Sequence, residues 1–254
     1  MSIAKKDKII ALLKSIETGD PGPVAVVNEA KYIQHNPQTH EGSEGLAVLF
    51  QRLSKTSPRV NIVRAFEDGD FVFGHTEYDF STRRIGFEVF RFEDGQAVEH
   101  WDNIQARLGP NSSGHSMVDG VTESTDLELT EANRERVREF VETVLIGGDL
   151  EKLSDFIDTG AFVEHNPGLT DSVDELRAAL SAASDAGRKI DYQVLHRILA
   201  EGSFVLSVCE GRNNGVHSAF YDLFRLHKGK IVEHWDTLEK VAPRSEWKND
   251  NGKF

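Results

Sequence analysis

The chain repeats itself, and that constrains its fold more than any other feature. Tyr32-Ile-Gln-His35-Asn36-Pro37 returns as Phe162-Val-Glu-His165-Asn166-Pro167. Glu88-Val-Phe-Arg-Phe-Glu-Asp-Gly95-Gln-Ala-Val-Glu99-His100-Trp101-Asp102 returns as Asp222-Leu-Phe-Arg-Leu-His-Lys-Gly229-Lys-Ile-Val-Glu233-His234-Trp235-Asp236. Between them, Phe71-Val-Phe-Gly-His-Thr-Glu77 is answered by Phe204-Val-Leu-Ser-Val-Cys-Glu210. Three matches in the same order mark a tandem duplication. The 254 residues lie between one domain and two at roughly 150 residues per domain, and the repeat decides for two. The expected division is a first copy over 1–108, a linker over 109–126, a second copy over 127–245 and a polar tail over 246–254. The linker is rich in Gly, Ser and Asn, without apolar periodicity. The tail reads as frayed, with Trp247 able to tack it down.

Each half reads as helices first and strands afterwards. Ile9, Ile10, Leu12, Leu13 and Ile16 form a helical stripe that stops at Thr18-Gly19-Asp20-Pro21. Val137, Phe140, Val141, Val144 and Leu145 form the second, with Thr130 as expected N-cap and Gly147-Gly148 as the stop. A short helix follows each His-Asn-Pro, over about Ser43–Leu53 and Val173–Ala186. The later one opens on a capping box, Ser172 with Glu175. Strands are expected over about Val60–Glu67, Phe71–Phe80, Ile85–Phe92 and Ala97–Gln105. The Glu93-Asp94-Gly95-Gln96 and His227-Lys228-Gly229-Lys230 segments carry hairpin signals. Helices followed by a meander give an α+β domain on a curved, mostly antiparallel sheet, present twice.

The net charge of −13 argues against nucleic acid or anionic lipid as partner, since phosphate binding needs a basic surface. One cysteine, Cys209, excludes an internal disulfide and a cysteine-cluster metal site. No run of about 18 apolar residues is present. Together these features fit the cytoplasm.

The last strand carries the chemistry. Alternation puts Val98, His100, Asp102 and Ile104 on one face, and Val232, His234, Asp236 and Leu238 on the matching face of the second copy. Aliphatics mixed with one histidine and one aspartate suit an apolar pocket with a few convergent polar groups. Burial would raise the aspartate pKa toward the range useful for proton transfer. In the middle strand, Glu77 and Glu210 are repeated and read either as second acid groups or as partners for Arg91 and Arg225. Each asparagine of His35-Asn36-Pro37 and His165-Asn166-Pro167 precedes proline and is therefore extended, near the mouth of such a pocket. Structural readings stand beside each of these: ion pairs for the acids, satisfied half-buried histidines, and asparagine turns. No ligand spacing supports a metal site. No G-x-S-x-G, G-x-x-x-x-G-K-[ST] or G-x-G-x-x-G is present.

The helical start, Tyr-Ile-Gln-His-Asn-Pro, and strands ending in Gly-Gln-Ala-Val-Glu-His-Trp-Asp together resemble the SnoaL-like polyketide cyclases of the nuclear transport factor 2-like superfamily. The resemblance covers nearly the whole chain, once per half. It implies two cone-shaped α+β barrels with apolar pockets, joined as an intrachain pseudo-dimer and open to further homodimerisation. It implies an intramolecular aldol condensation, or a related isomerisation, of a hydrophobic carbonyl compound without metal or cofactor. Asp102 and Asp236 match the family's acid/base, with His100 and His234 beside them. His35, Asn36, Glu77, His165, Asn166 and Glu210 would contact substrate. Two other readings stay open on the same fold: a non-catalytic small-molecule binder and a protein-interaction module.

Overall fold

The computed structural model describes residues 3–40, 53, 55, 57–185 and 187–254. The chain divides into two compact units, Met1–Arg107 with Val241–Phe254, and Leu108–Lys240. In the first unit, α1 (Lys5–Thr18) buries Ile9, Leu12, Leu13 and Ile16, the spacing of one helical face. It ends at Gly19, whose φ of 70° lets its N–H bond Ser15 O at 2.8 Å. β1 (Ile33–Gln34), β2 (Arg59–Asp68), β3 (Phe71–Asp79), β4 (Arg83–Glu93) and β5 (Gln96–Ala106) form one sheet in the order β1-β5-β4-β3-β2. β1 runs parallel to β5, and the other neighbours are antiparallel. Ile9, Leu12, Val60, Val72, Phe90 and Phe92 are among the buried side chains packed between helix and sheet. The expected helix over Ser43–Leu53 lies almost wholly outside the described residues.

In the second unit, α2 (Thr130–Phe140) continues into a π-helical stretch at Val141–Ile146, and α3 (Leu153–Phe156) follows. Next come β6 (Val163–Glu164), α4 (Val173–Ser181), the short hairpin of β7 (Ala183–Ser184) and β8 (Gly187–Arg188), then β9 (Ile190–Glu201), β10 (Phe204–Asn213), β11 (Val216–His227) and β12 (Lys230–Lys240). The sheet order, β6-β12-β11-β10-β9, is that of the first unit. A register shift falls between Arg91 and Phe92 in one unit and between Arg225 and Leu226 in the other. A bulge kept at the same place in both copies belongs to the architecture. The β4–β5 and β11–β12 turns are two-residue hairpins with positive φ at both residues, Asp94 and Gly95, Lys228 and Gly229. No helix among the described residues is long and apolar enough to cross a membrane.

Three local expectations change. Thr130 is the first helical residue rather than the N-cap. Its hydroxyl donates to Leu127 O at 2.7 Å and accepts from Gly202 N at 2.8 Å. α4 ends at Ser181 instead of Ala186, because the chain turns into β7. Only half of its capping box forms: Ser172 Oγ accepts from Glu175 N at 3.3 Å, while Glu175 Oε2 takes the Thr170 hydroxyl at 2.6 Å.

The linker and the tail are both ordered parts of a unit. The segment after β5 belongs to the second unit. There Asn111 Nδ2 donates to Glu164 O at 2.6 Å and Trp235 Nε1 donates to Asp119 O at 3.0 Å. Gly120, at φ 88°, passes so close to Trp235 that a Cβ would lie 2.8 Å from its ring. The segment after β12 belongs to the first unit, where Asn251 Nδ2 donates to Gln34 O at 3.1 Å and Lys248 N to Pro37 O at 2.8 Å. The expected frayed tail is instead held mainly by side-chain donors to backbone carbonyls, from Asn249, Asn251 and Lys253, with Asn249 and Lys253 buried. Each unit is thus completed by the segment that follows the other copy's last strand.

Candidate functional site

The strand register assembles the candidate site. β4 and β5 place Glu88 directly opposite Asp102, and β11 and β12 place Asp222 opposite Asp236. Two carboxylates facing across a ladder repel one another, so the surrounding groups must offset them. In the first unit His100 does so from the next position on that face. Its Nε2 lies 2.7 Å from Glu88 Oε2, and its Nδ1 lies 3.0 Å from Gln34 Oε1. In the second unit His234 Nε2 lies 3.2 Å from Asp222 Oδ1 and Nδ1 lies 2.9 Å from Glu164 Oε1. Asn36 Nδ2 donates to Asp102 Oδ2 at 2.7 Å, and Asn166 Nδ2 to Asp236 Oδ2 at 2.6 Å.

A tyrosine completes each cluster from a different strand. Tyr78 on β3 donates to Glu88 Oε1 at 2.8 Å, and Tyr192 on β9 donates to Asp222 Oδ1 at 3.0 Å. Tyr78 pairs with Val60 on β2, whereas Tyr192 pairs with Gly211 on β10, so the large and small members of this cross-strand pair are exchanged. Gly86 leaves room for the Tyr78 ring, which a Cβ there would approach to 2.8 Å. At the matching place in the second unit, Phe220 packs on Tyr192 with ring centroids 4.4 Å apart.

The two units differ in charge. Gln34 stands where the second unit has Glu164. In the first unit the ammonium of Lys253, 3% exposed, donates to Asp102 O at 2.7 Å and lies 3.4 Å from Asp102 Oδ1. In the second unit burial works against a charged His234, but Glu164 and Asp222 outweigh it and hold its pKa well above the usual histidine value. Burial, reinforced by the charges of Glu164 and Asp222, pushes Asp236 up to about 7, against the opposing pull of His234 and Asn166. Burial first, and Asp222 second, raise the Tyr192 hydroxyl well above its ordinary range. Burial likewise pushes up the Cys209 thiol, which is unsuited to nucleophilic work.

A cavity of about 40 Å³ opens on the second cluster, walled by Phe140, Leu145, Phe162, Leu176 and Phe224 and ended by Tyr192, Asp222 and His234. Asp222 is 2% exposed, and its Oδ2 has no hydrogen-bond partner. A larger hollow of about 330 Å³ in the first unit is lined by Lys14, Glu17, Arg59, Glu77, Asp79 and Arg83 and shares none of the cluster residues. One oxygen or nitrogen from each of Glu88, His100 and Asp102 falls within 4.8 Å of the others, a spacing a metal ion could bridge. These side chains already engage Tyr78, Gln34, Asn36 and Lys253.

Of the residues singled out from the sequence, His100 with Asp102 and His234 with Asp236 share one face, and Asn36 and Asn166 join them. His35 and His165 do not, because consecutive residues of an extended chain point to opposite faces. His35 stacks on Trp101 at 4.6 Å, with Nε2 2.9 Å from Glu99 Oε1. His165 stacks on Trp235 at 4.7 Å, with Nε2 3.0 Å from Glu233 Oε1. Arg91 and Arg225 pair with Glu99 and Glu233, each at 2.6 Å, not with Glu77 and Glu210. Glu77 takes Arg107 at 2.5 Å, and Glu210 bridges His196 at 2.8 Å and His217 at 2.7 Å. Both glutamates sit apart from the two clusters. Sequence reasoning missed Glu88 and Asp222, although they open the longest repeated segment as lone acids in an apolar strand. It also missed Glu164, the two tyrosines and Lys253.

Residues 137–234 match the family model of the SnoaL-like domain. Similar solved structures include TsrD from Streptomyces laurentii, at 19% identity over 41% of this chain and 91% of that one, TM-score 0.36. IdmH, a candidate polyketide cyclase from Streptomyces antibioticus, is 17% identical over 41% and 93%, TM-score 0.36. An NTF2-like protein of unknown function from Burkholderia xenovorans is 21% identical over 49% and 99%, TM-score 0.38. Comparison with curated proteins finds no match. The matched residues lie within the second unit, and the first unit repeats that unit's strand order, its bulge and its buried acid–histidine pair.

Proposed function

We propose that the second unit performs cofactor-free acid/base chemistry on an apolar carbonyl compound, removing a proton alpha to the carbonyl. The observation that carries this is the unpartnered Asp222 Oδ2 beside His234 and Tyr192 at the polar end of an apolar cavity. A carboxylate oxygen without a hydrogen-bond partner has a lone pair open to a proton. Asp222 takes the carbon-bound proton. His234 and Tyr192, both now directed at Asp222 Oδ1, are the donors in the cavity wall that can turn to the enolate oxygen. Asp236, poised near neutrality, exchanges the proton with bulk water. Attack of the enolate on a second carbonyl would give an aldol product, and return of the proton elsewhere would give an isomer. The cavity must widen to admit a substrate, and Leu176 and Leu180 of α4 are the lining residues that have to give way.

The test needs no known substrate. Cyclic and aryl ketones incubated with the protein in D2O should gain deuterium at the alpha carbon, and Asp222→Asn should lose this. A second reading, the non-catalytic module, draws on the small cavity, about 40 Å³ against the roughly 300–1,000 Å³ of ordinary ligand pockets. Exchange at the buffer rate across the ketone panel would favour it.

A further inference from the structure

The two clusters solve the same electrostatic problem in different ways. The first holds two carboxylates, Glu88 and Asp102, and supplies one ammonium from its own chain, Lys253. The second holds three carboxylates, Glu164, Asp222 and Asp236, around one histidine. The correspondence extends to the segments that cover them. Gly252 O lies 3.1 Å from His35 Nδ1, as Ser116 O lies 2.8 Å from His165 Nδ1. The residue after Gly252 is Lys253, and the residue after Ser116 is Met117. Where the covering segment of the first unit carries a cation, that of the second carries a methionine, whose Sδ accepts from Leu108 N at 3.4 Å.

We propose, resting on the reading of the second cavity as a ligand site, that it takes the ammonium end of an apolar primary amine. The ammonium supplies the cation that Lys253 supplies in the first unit, but at Asp222, the counterpart of Glu88, rather than at Asp236, the counterpart of Asp102. Its direct acceptor is Asp222 Oδ2, buried, lining the cavity and without a partner. The cavity has room for such a head group, about 40 Å³ against the roughly 30 Å³ share of one liquid water. The aromatic and aliphatic walls, Phe140, Phe162, Leu176 and Phe224, receive the first carbons of the tail. Lys253 is built the same way, an ammonium on an apolar stem, itself buried. An amine seated there occupies the oxygen that serves as base in the ketone reaction, so amine and ketone exclude one another from the cavity.

The test compares benzylamine and n-butylamine with their neutral counterparts, benzyl alcohol and n-butanol, by calorimetry on the full chain at pH 7. Each amine should bind at least tenfold more tightly than its alcohol, and Asp222→Asn should remove that preference while the alcohol affinity stays. Equal binding of amine and alcohol would overturn the proposal, as would a preference untouched in Asp222→Asn. Were that variant not to fold, competition in the wild-type chain would decide instead. Ammonium chloride should displace butylamine only weakly, and equal displacement would reduce the site to one for any small cation. In the first unit, Lys253→Met should lose thermal stability and regain part of it with millimolar butylamine but not butanol. The ketone exchange assay stands apart. Exchange without amine preference sinks only this inference, whereas Asp222-dependent amine binding without exchange sinks only the catalytic reading.

Discussion

The two units start from one plan and end with different chemistry in the same place. Both set two carboxylates opposite one another across neighbouring strands and put a histidine beside them. The first closes its account internally: Tyr78 and His100 occupy both oxygens of Glu88, and Lys253 covers Asp102. The second leaves Asp222 Oδ2 without a partner at an apolar cavity and adds a third acid, Glu164. The lesson concerns buried charge. It must be compensated, and a duplicated domain can meet that demand from its own chain in one copy and leave it to a ligand in the other.

The sharpest way to break the comparison is by activity. Asp222→Asn should lower alpha-carbon deuterium exchange about 1,000-fold, the scale of a lost general base, while Glu88→Gln changes it less than about twofold. Equal losses would mean that both units work. Stability offers the next contrast, in the arginine–glutamate pairs on the other sheet face. The Glu233 side chain is 4% exposed and that of Glu99 is 16% exposed. Arg225→Met should therefore cost about 3 kcal/mol in urea unfolding, and Arg91→Met about 1 kcal/mol. A reversed order would show that burial of the acid does not set the cost.

The pH dependence should differ next. Asp236 keeps its proton up to about 7 when folded and loses it near 3.8 when unfolded, so its contribution to stability is lost as pH rises through that window. His234 acts in the same direction but later. Its contribution is complete below 6.5 and disappears as pH climbs through its raised folded value. Thermal melts from pH 4 to 9 should show a decline attributable to the second unit, flattened at its acid end in Asp236→Asn. Glu233 runs the other way, held low because His165 and Arg225 outweigh its burial, so what it adds fades as pH falls through 4.5 and below. At the docked linker, Trp235→Phe removes the bond to Asp119 O together with part of a fully buried ring and should cost about 2–3 kcal/mol by melting. No loss would mean that the linker holds without it.

Much of the fold was legible because its signals are local. The strands expected at 60–67, 71–80, 85–92 and 97–105 are observed at 59–68, 71–79, 83–93 and 96–106, since alternation and hairpin residues act over a few positions. The pairing of His100 with Asp102, and of His234 with Asp236, followed from the same period. Glu88 and Asp222 were harder to see. A single acid in an apolar strand has no meaning until register sets a second one opposite it. The tyrosines could not be found by matching the copies, because Tyr78 and Tyr192 come from strands that do not correspond. Lys253 lies 151 residues from Asp102 in a segment that looked frayed, and only its hydrogen bonds reveal its place.

By itself, the sequence determined that the chain is a duplication, that each copy is helices followed by a meander, and that a histidine and an aspartate share a face of its last strand. The tertiary structure decided which carboxylates meet, that His35 and His165 turn away from them, and that one copy answers its buried charge with a lysine while the other does not. The physical reason is range. Backbone periodicity and turn preference act between neighbours, whereas charge compensation in a low-dielectric interior is settled by whichever groups the folded chain brings within about 3 Å.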